Sequence, residues 1–223
     1  MRHNKKNPSI NYLENIEYYK LMHKEGINLI NGVKKNSKDS YNGETTSLYA
    51  DIVKKIIEQN NYRTLLEYGC GKAFYYENKF VLNNKIINSL KDYWGVEVSL
   101  YDPCFEKFSE LTTNKSDLTI CIDVLEHIPK EDIDWILEEF FKLTKFMVFM
   151  NIACEPAVAL LPNGKNAHIN IQTPKYWHAK LMKMKKMYKN IKIICCYSLK
   201  AKTTDRKKKF MFSNIDDNIR KYL

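Results

Sequence analysis

Apolar residues along this chain alternate between two spacings. In residues 63–68, 118–123, 146–152 and 191–197 they run together in short blocks, the pattern of strands buried on both faces. A weaker block, residues 96–101, follows Trp94-Gly95 and is closed by Asp102-Pro103. Between the blocks the spacing becomes helical. Ile133, Ile136, Leu137, Phe140 and Phe141 line one face of residues 132–143, and Trp177, Leu181, Met184 and Tyr188 form a stripe behind Pro174. Thr45, Thr46 and Ser47 can cap a helix carrying Leu48, Ile52 and Ile56.

The remaining segments are less regular. Leu13, Ile16, Tyr19, Ile27 and Ile30 predict a helical N-terminal extension broken near Gly26, and residues 31–44 read as a polar loop. Residues 74–94 predict one or two helical pieces, and residues 156–171 a long loop. Residues 210–212 follow the last buried block with only a polar, basic turn between them, which predicts an antiparallel hairpin at a sheet edge. Strands alternating with helices imply an α/β fold, a doubly wound and mostly parallel sheet covered on both faces. The expected division is a helical extension or lid over 1–44 and one domain over 45–223.

Composition narrows the class. The 223 residues are 44% hydrophobic, which suits one globular domain. No apolar run approaches the roughly 18 residues needed to span a bilayer, and no apolar core follows the charged N-terminus. Six cysteines without a CxxC pair read as buried free thiols of a cytoplasmic protein. The net charge of +10 admits a polyanionic partner, but lysine is spread over the whole chain and much of it falls on the outer faces of predicted helices; the dense exception is Arg206-Lys207-Lys208-Lys209, a candidate hairpin tip.

The chemistry concentrates at strand ends. Glu67-Tyr68-Gly69-Cys70-Gly71 ends the first block with an acid and two alternate glycines, a turn that lets a nucleotide-like ligand lie on bare backbone. An acid is misplaced for a pyrophosphate, which seeks helix N-terminal amides. It suits a positively charged ligand. A second acid closes the next strand, and Asp123-Val124-Leu125-Glu126-His127-Ile128-Pro129 follows the strand after that.

Together these segments resemble class I S-adenosylmethionine-dependent methyltransferases over roughly residues 45–215. The resemblance implies a Rossmann-like sheet of seven strands with the last one reversed. It also implies that Glu67 faces the cofactor's ammonium end, that Gly69, Cys70 and Gly71 offer backbone, and that an acid takes the ribose hydroxyls. Asp102 and Glu97 compete for that last role, and the position at the strand's carboxyl end favours Asp102. Asp123, Val124 and His127 would meet the adenine and the methyl-donor edge. Ala73 stands where a third glycine is usual.

Asp123, Glu126 and His127 also resemble the metal-binding segment of some O-methyltransferases, with His168 available as a further ligand of a divalent ion. In many methyltransferases the Leu-Glu-His segment binds no metal, and both possibilities stand. His168, His127 and Asp123 are the catalytic candidates, His168 as a general base for a hydroxyl. Tyr19, His23 and Trp177 are candidate acceptor contacts, with a core position open for Trp177.

No Asn-Pro-Pro-Tyr-type segment follows the fourth strand, which disfavours amino-group methylation of DNA bases. The pattern is similar to small bacterial O-methyltransferases of surface-polysaccharide or nucleotide-sugar modification, which implies a saccharide or nucleotide-sugar acceptor. RNA ribose 2'-O-methylation and a catalytically silent binding protein are the alternatives, and a homodimer is left open.

Overall fold

The computed structural model describes residues 3–199, 209–212, 215 and 222. Six strands form the central sheet: β3 (Thr64–Tyr68), β6 (Glu97–Tyr101), β7 (Ser116–Ile122), β8 (Thr144–Ala153), β10 (Lys192–Leu199) and β11 (Lys209–Phe212). Their order is β11-β10-β8-β7-β3-β6; the five from β10 to β6 are parallel, and β11 pairs with β10 in the opposite sense. The α/β architecture with a parallel core therefore follows the apolar blocks. The described sheet has six strands where seven were expected, because the sheet ends at β6. The basic cluster at 206–208 lies outside the described residues.

Alternation along the strands divides the core into two layers. Leu65, Leu118, Ile120 and Phe149 face α3 (Ala50–Asn60) and α4 (Leu90–Trp94), while Leu66, Cys121, Val148 and Met150 face α5 (Ile133–Lys142) and α6 (Pro174–Met187). From β3 the chain steps outward to β6, then crosses back to β7 and continues through β8 and β10. That reversal beside β3 creates the crevice at the carboxyl ends of the strands where ligands of such sheets bind.

Three segments depart from expectation. The helix behind Thr45 is split at Tyr49 into α2 (Glu44–Leu48) and α3. The break re-phases the buried stripe to Val53, Ile56 and Ile57 and leaves Leu48 71% exposed. Residues 74–94 contain a hairpin, β4 (Phe80–Leu82) and β5 (Lys85–Ile87), besides α4. Its turn is Asn83-Asn84, both at positive φ (49° and 62°), a conformation asparagine tolerates and two-residue hairpins require.

The third departure forms a cap. α1 (Ile10–Glu25) ends at Gly26, and β1 (Ile27–Leu29) pairs with both β2 (Lys34–Lys35) and β9 (Ala159–Leu160). Met22 and Ile27 share a small core with Ala157, Leu161 and Ala167. The N-terminal segment and the long loop after β8 thus pack as one unit. On α1, Leu13 is 53% exposed, so the inward face is not the aliphatic stripe the spacing suggested. Among the described residues, no helix is long and apolar enough to cross a membrane.

Candidate functional site

The turn after β3 is held by its own main chain. Gly69 and Cys70 N–H both donate to the Tyr101 carbonyl, Lys72 N–H to Tyr41, Ala73 N–H to Cys70 and Phe74 N–H to Asn42. Gly71 N–H donates to Asp102 Oδ2 at 2.8 Å, and Cys104 N–H to Asp102 Oδ1 at 2.8 Å. Every amide from Gly69 to Phe74 is therefore spent inside the protein, leaving none for a phosphate. Both glycines are required by geometry. At Gly69 (φ +87°) a Cβ would stand 2.4 Å from the Val124 side chain, and at Gly71 (φ +58°) 2.4 Å from the Tyr41 carbonyl oxygen. Ala73 takes the same left-handed region at φ 49° without a glycine.

A cavity of about 260 Å³ opens at this edge. Its floor is the strand ends: Gly69, Cys70, Gly71, Asp102, Asp123 and Val124, with His127. Its roof is the inner stripe of α1, namely Tyr12, Asn15, Ile16, Tyr19 and His23, together with Tyr41 and residues 43–46. The sequence pattern missed Tyr12, Asn15 and Tyr41. The i, i+3, i+7, i+11 spacing of Tyr12, Asn15, Tyr19 and His23 was the available signal, but it is aromatic and polar rather than aliphatic.

The two ribose candidates separate clearly. Asp102 lines the cavity, whereas Glu97 is exposed and pairs with Thr64 at the opposite end of the strands. Burial raises the Asp102 carboxyl above its ordinary range, opposed by the hydrogen bonds from Cys104 and Gly71.

Glu67 corrects the expectation placed on it. It is 1% exposed and absent from the cavity wall, because alternation in β3 turns it toward the α3 layer while Tyr68 faces the α5 layer. There Oε1 accepts from Thr46 Oγ1 at 2.5 Å, while Oε2 has no well-formed partner. Burial pushes its pKa up to about 7, against the hydroxyls of Thr46 and Tyr76. Glu67 thus anchors Thr46 behind the cavity. Trp177 takes the core position that was left open for it: it is fully buried in the α5–α6 layer and does not line this cavity.

Asp123, His127 and His168 do meet. One ligand atom from each lies within 4.8 Å of the others. Asp123 sits at φ 60°, a strained conformation for a non-glycine residue and one that clusters at functional sites. Thr45 Oγ1 donates to its Oδ2 at 3.3 Å. His168 Nδ1 lies 2.5 Å from the Glu155 carbonyl and His127 Nδ1 3.0 Å from the Ala167 carbonyl, so each Nδ1 carries the proton and leaves Nε2 as the acceptor nitrogen. The rings are 4.7 Å apart, centre to centre. His168 is not on the cavity wall; it stands beside the His127 ring. Burial, then His168, pulls the His127 pKa down to about 4, so the ring is neutral.

One carboxylate and two imidazoles, each ring backed by a carbonyl, fit a divalent first-row ion. Glu126 falls outside this set. It is fully buried, its Oε1 accepts from Ala153 N–H at 2.6 Å, and burial plus the charge of Asp123 hold its carboxyl well above the ordinary range. It backs Asp123 instead of joining the three donors.

His23 is also buried, its ring packed between Tyr41 and Phe105 at 4.9 and 5.2 Å. Burial, with Lys72, brings its pKa down to about 4. No protein-family profile matches the chain, and no curated protein matches it.

Proposed function

We propose that the chain is an S-adenosylmethionine-dependent O-methyltransferase. One observation carries this reading. The glycine turn, Asp102 and Asp123 converge on a single cavity at the sheet reversal, and the turn has no free amide for a phosphate. Acidic walls with a spent backbone disfavour a dinucleotide and favour a ligand bearing positive charge. Asp102 would take the ribose hydroxyls, Asp123 would face the charged end, and the antiparallel β11 accords with the resemblance.

The acceptor is a hydroxyl, of a saccharide or nucleotide-activated sugar. Methyl transfer to a hydroxyl needs in-line alignment and removal of one proton. Asp123, His127 and His168 would hold a divalent ion whose chemistry is to lower the hydroxyl's pKa. The aromatic and polar inner stripe of α1 would form the acceptor wall.

Calorimetry with S-adenosylmethionine tests the donor assignment: heat of binding is expected, with loss in Asp102→Ala. A labelled-methyl screen over activated sugars and RNA tests the acceptor. Incorporation into RNA that collapses with salt would replace the sugar by a ribose 2'-hydroxyl. No heat with the donor would leave a silent binding protein.

A further inference from the structure

The hydroxyl of Tyr19 reaches out of α1 to the back of His127. It lies 2.6 Å from His127 Nδ1 and 3.3 Å from the Ala167 carbonyl, while Nδ1 itself lies 3.0 Å from that carbonyl. A single proton arrangement satisfies all three distances. Nδ1–H donates to Tyr19 Oη and to the carbonyl, and Tyr19 donates its own proton to the carbonyl. The opposite tautomer would aim an unprotonated Nδ1 at a carbonyl oxygen, lone pair against lone pair.

We propose that Tyr19 is a positioning residue for His127, so that the cap and a divalent ion held by Asp123, His127 and His168 stabilise each other. This rests on the metal reading given above. The ion's donors come from two packing units. Asp123 and His127 belong to the sheet edge, whereas His168 follows Ala167, a residue of the cap's own core with Met22 and Ile27. Tyr19, also on the cap, holds the ring angle of a sheet-edge ligand whose tautomer the Ala167 carbonyl sets. Carbonyl and hydroxyl partners of this kind orient metal-binding imidazoles and raise their basicity. By reciprocity, whatever the cap contributes to ion affinity, the ion returns to cap docking.

The tyrosine ring has a separate packing role, with Tyr41 at 5.6 Å and His127 at 5.5 Å between ring centres. Tyr19→Phe keeps that packing and removes only the hydroxyl. Titration of the full-length protein with MnCl2, followed calorimetrically and by electron paramagnetic resonance, reads the effect without turnover. Tyr19→Phe is expected to weaken Mn²⁺ binding about tenfold. Saturating Mn²⁺ is expected to slow amide exchange in α1 of the wild type, and less so in the variant.

Wild-type Mn²⁺ affinity in Tyr19→Phe, or α1 exchange indifferent to Mn²⁺ in the wild type, overturns the positioning role while the ion site stands. Absence of Mn²⁺ binding to the wild type removes the ion site and this role with it. Donor affinity is measured independently in each case.

Discussion

The glycine turn and the cap face each other across one cavity, yet different chemistry holds them. The turn is fixed by main chain: consecutive amides from Gly69 to Phe74 are bound to neighbouring carbonyls and to Asp102. The cap is fixed largely by a few side chains reaching out of α1 or receiving it: Asp132 under Ser9, Asn15 on the His127 carbonyl, Tyr19 on the His127 ring. A site built this way has a rigid floor and a roof that can be loosened one contact at a time. Substitutions in the floor should damage the whole fold. Those in the roof should release the cap and spare the sheet.

Gly71→Ala gives the largest effect. Its Cβ would meet a backbone oxygen at 2.4 Å in a left-handed conformation. Strain and overpacking together predict a loss of about 3–5 kcal/mol in chemical denaturation. Gly69→Ala meets a side chain instead, so Val124→Ala should recover part of its loss. Tyr41→Ala should not rescue Gly71→Ala, since the clash is with the carbonyl that every residue carries. Rescue there would break the contrast between a main-chain floor and a side-chain roof.

Asp132→Ala should act on the other side of the cavity. Asp132 is fully buried and accepts from Ser9 N at 3.0 Å, from Trp135 Nε1 at 2.7 Å and from the Ser9 hydroxyl. Removing it strands these donors, at a cost of about 2–3 kcal/mol. Ser9 caps α1 by accepting from Tyr12 N–H, so its displacement should fray that helix first. Hydrogen exchange should quicken in α1 while β7 and β8 amides keep wild-type rates. Equal quickening in the sheet would mean that floor and roof open together.

The same contrast explains what could be read in the chain beforehand. Five parallel strands, α5 and α6 follow directly from apolar blocks and helical stripes, because burial on both faces writes itself into spacing. Glycines, Asp102 and Asp123 were legible because positive φ and strand-end acids need particular residue types. The cap was not. α1 turns Tyr12, Asn15, Tyr19 and His23 inward and leaves Ile10 and Leu13 exposed at 77% and 53%, the reverse of an ordinary amphipathic helix. The pairing of β1 with β9 is a contact over more than a hundred residues that no local pattern carries. Glu67 misled for a subtler reason. A strand-end acid looks the same in sequence whichever face it takes, and one residue of register decides it.

That register has a pH signature, the smallest of the expected effects. Glu67 is buried at 1% exposure with its pKa raised from 4.5 to about 7. Between those values the folded protein holds a proton that the unfolded chain has lost. Stability from this group is therefore greatest below about pH 4.5, falls as pH rises toward about 7, and is level above that. Glu67→Gln keeps an acceptor for Thr46 and cannot ionise, so its stability relative to the wild type should rise between pH 4 and pH 8. His127 and His23 work in the opposite direction. Their pKa values lie near 4, so they withdraw stability as pH falls below the ordinary histidine value of 6.5, in both proteins alike. The difference between variant and wild type isolates Glu67. A difference that stays constant from pH 4 to 8 would mean that Glu67 titrates alike in the folded and unfolded chain, and so is not the buried acid that its face of β3 makes it.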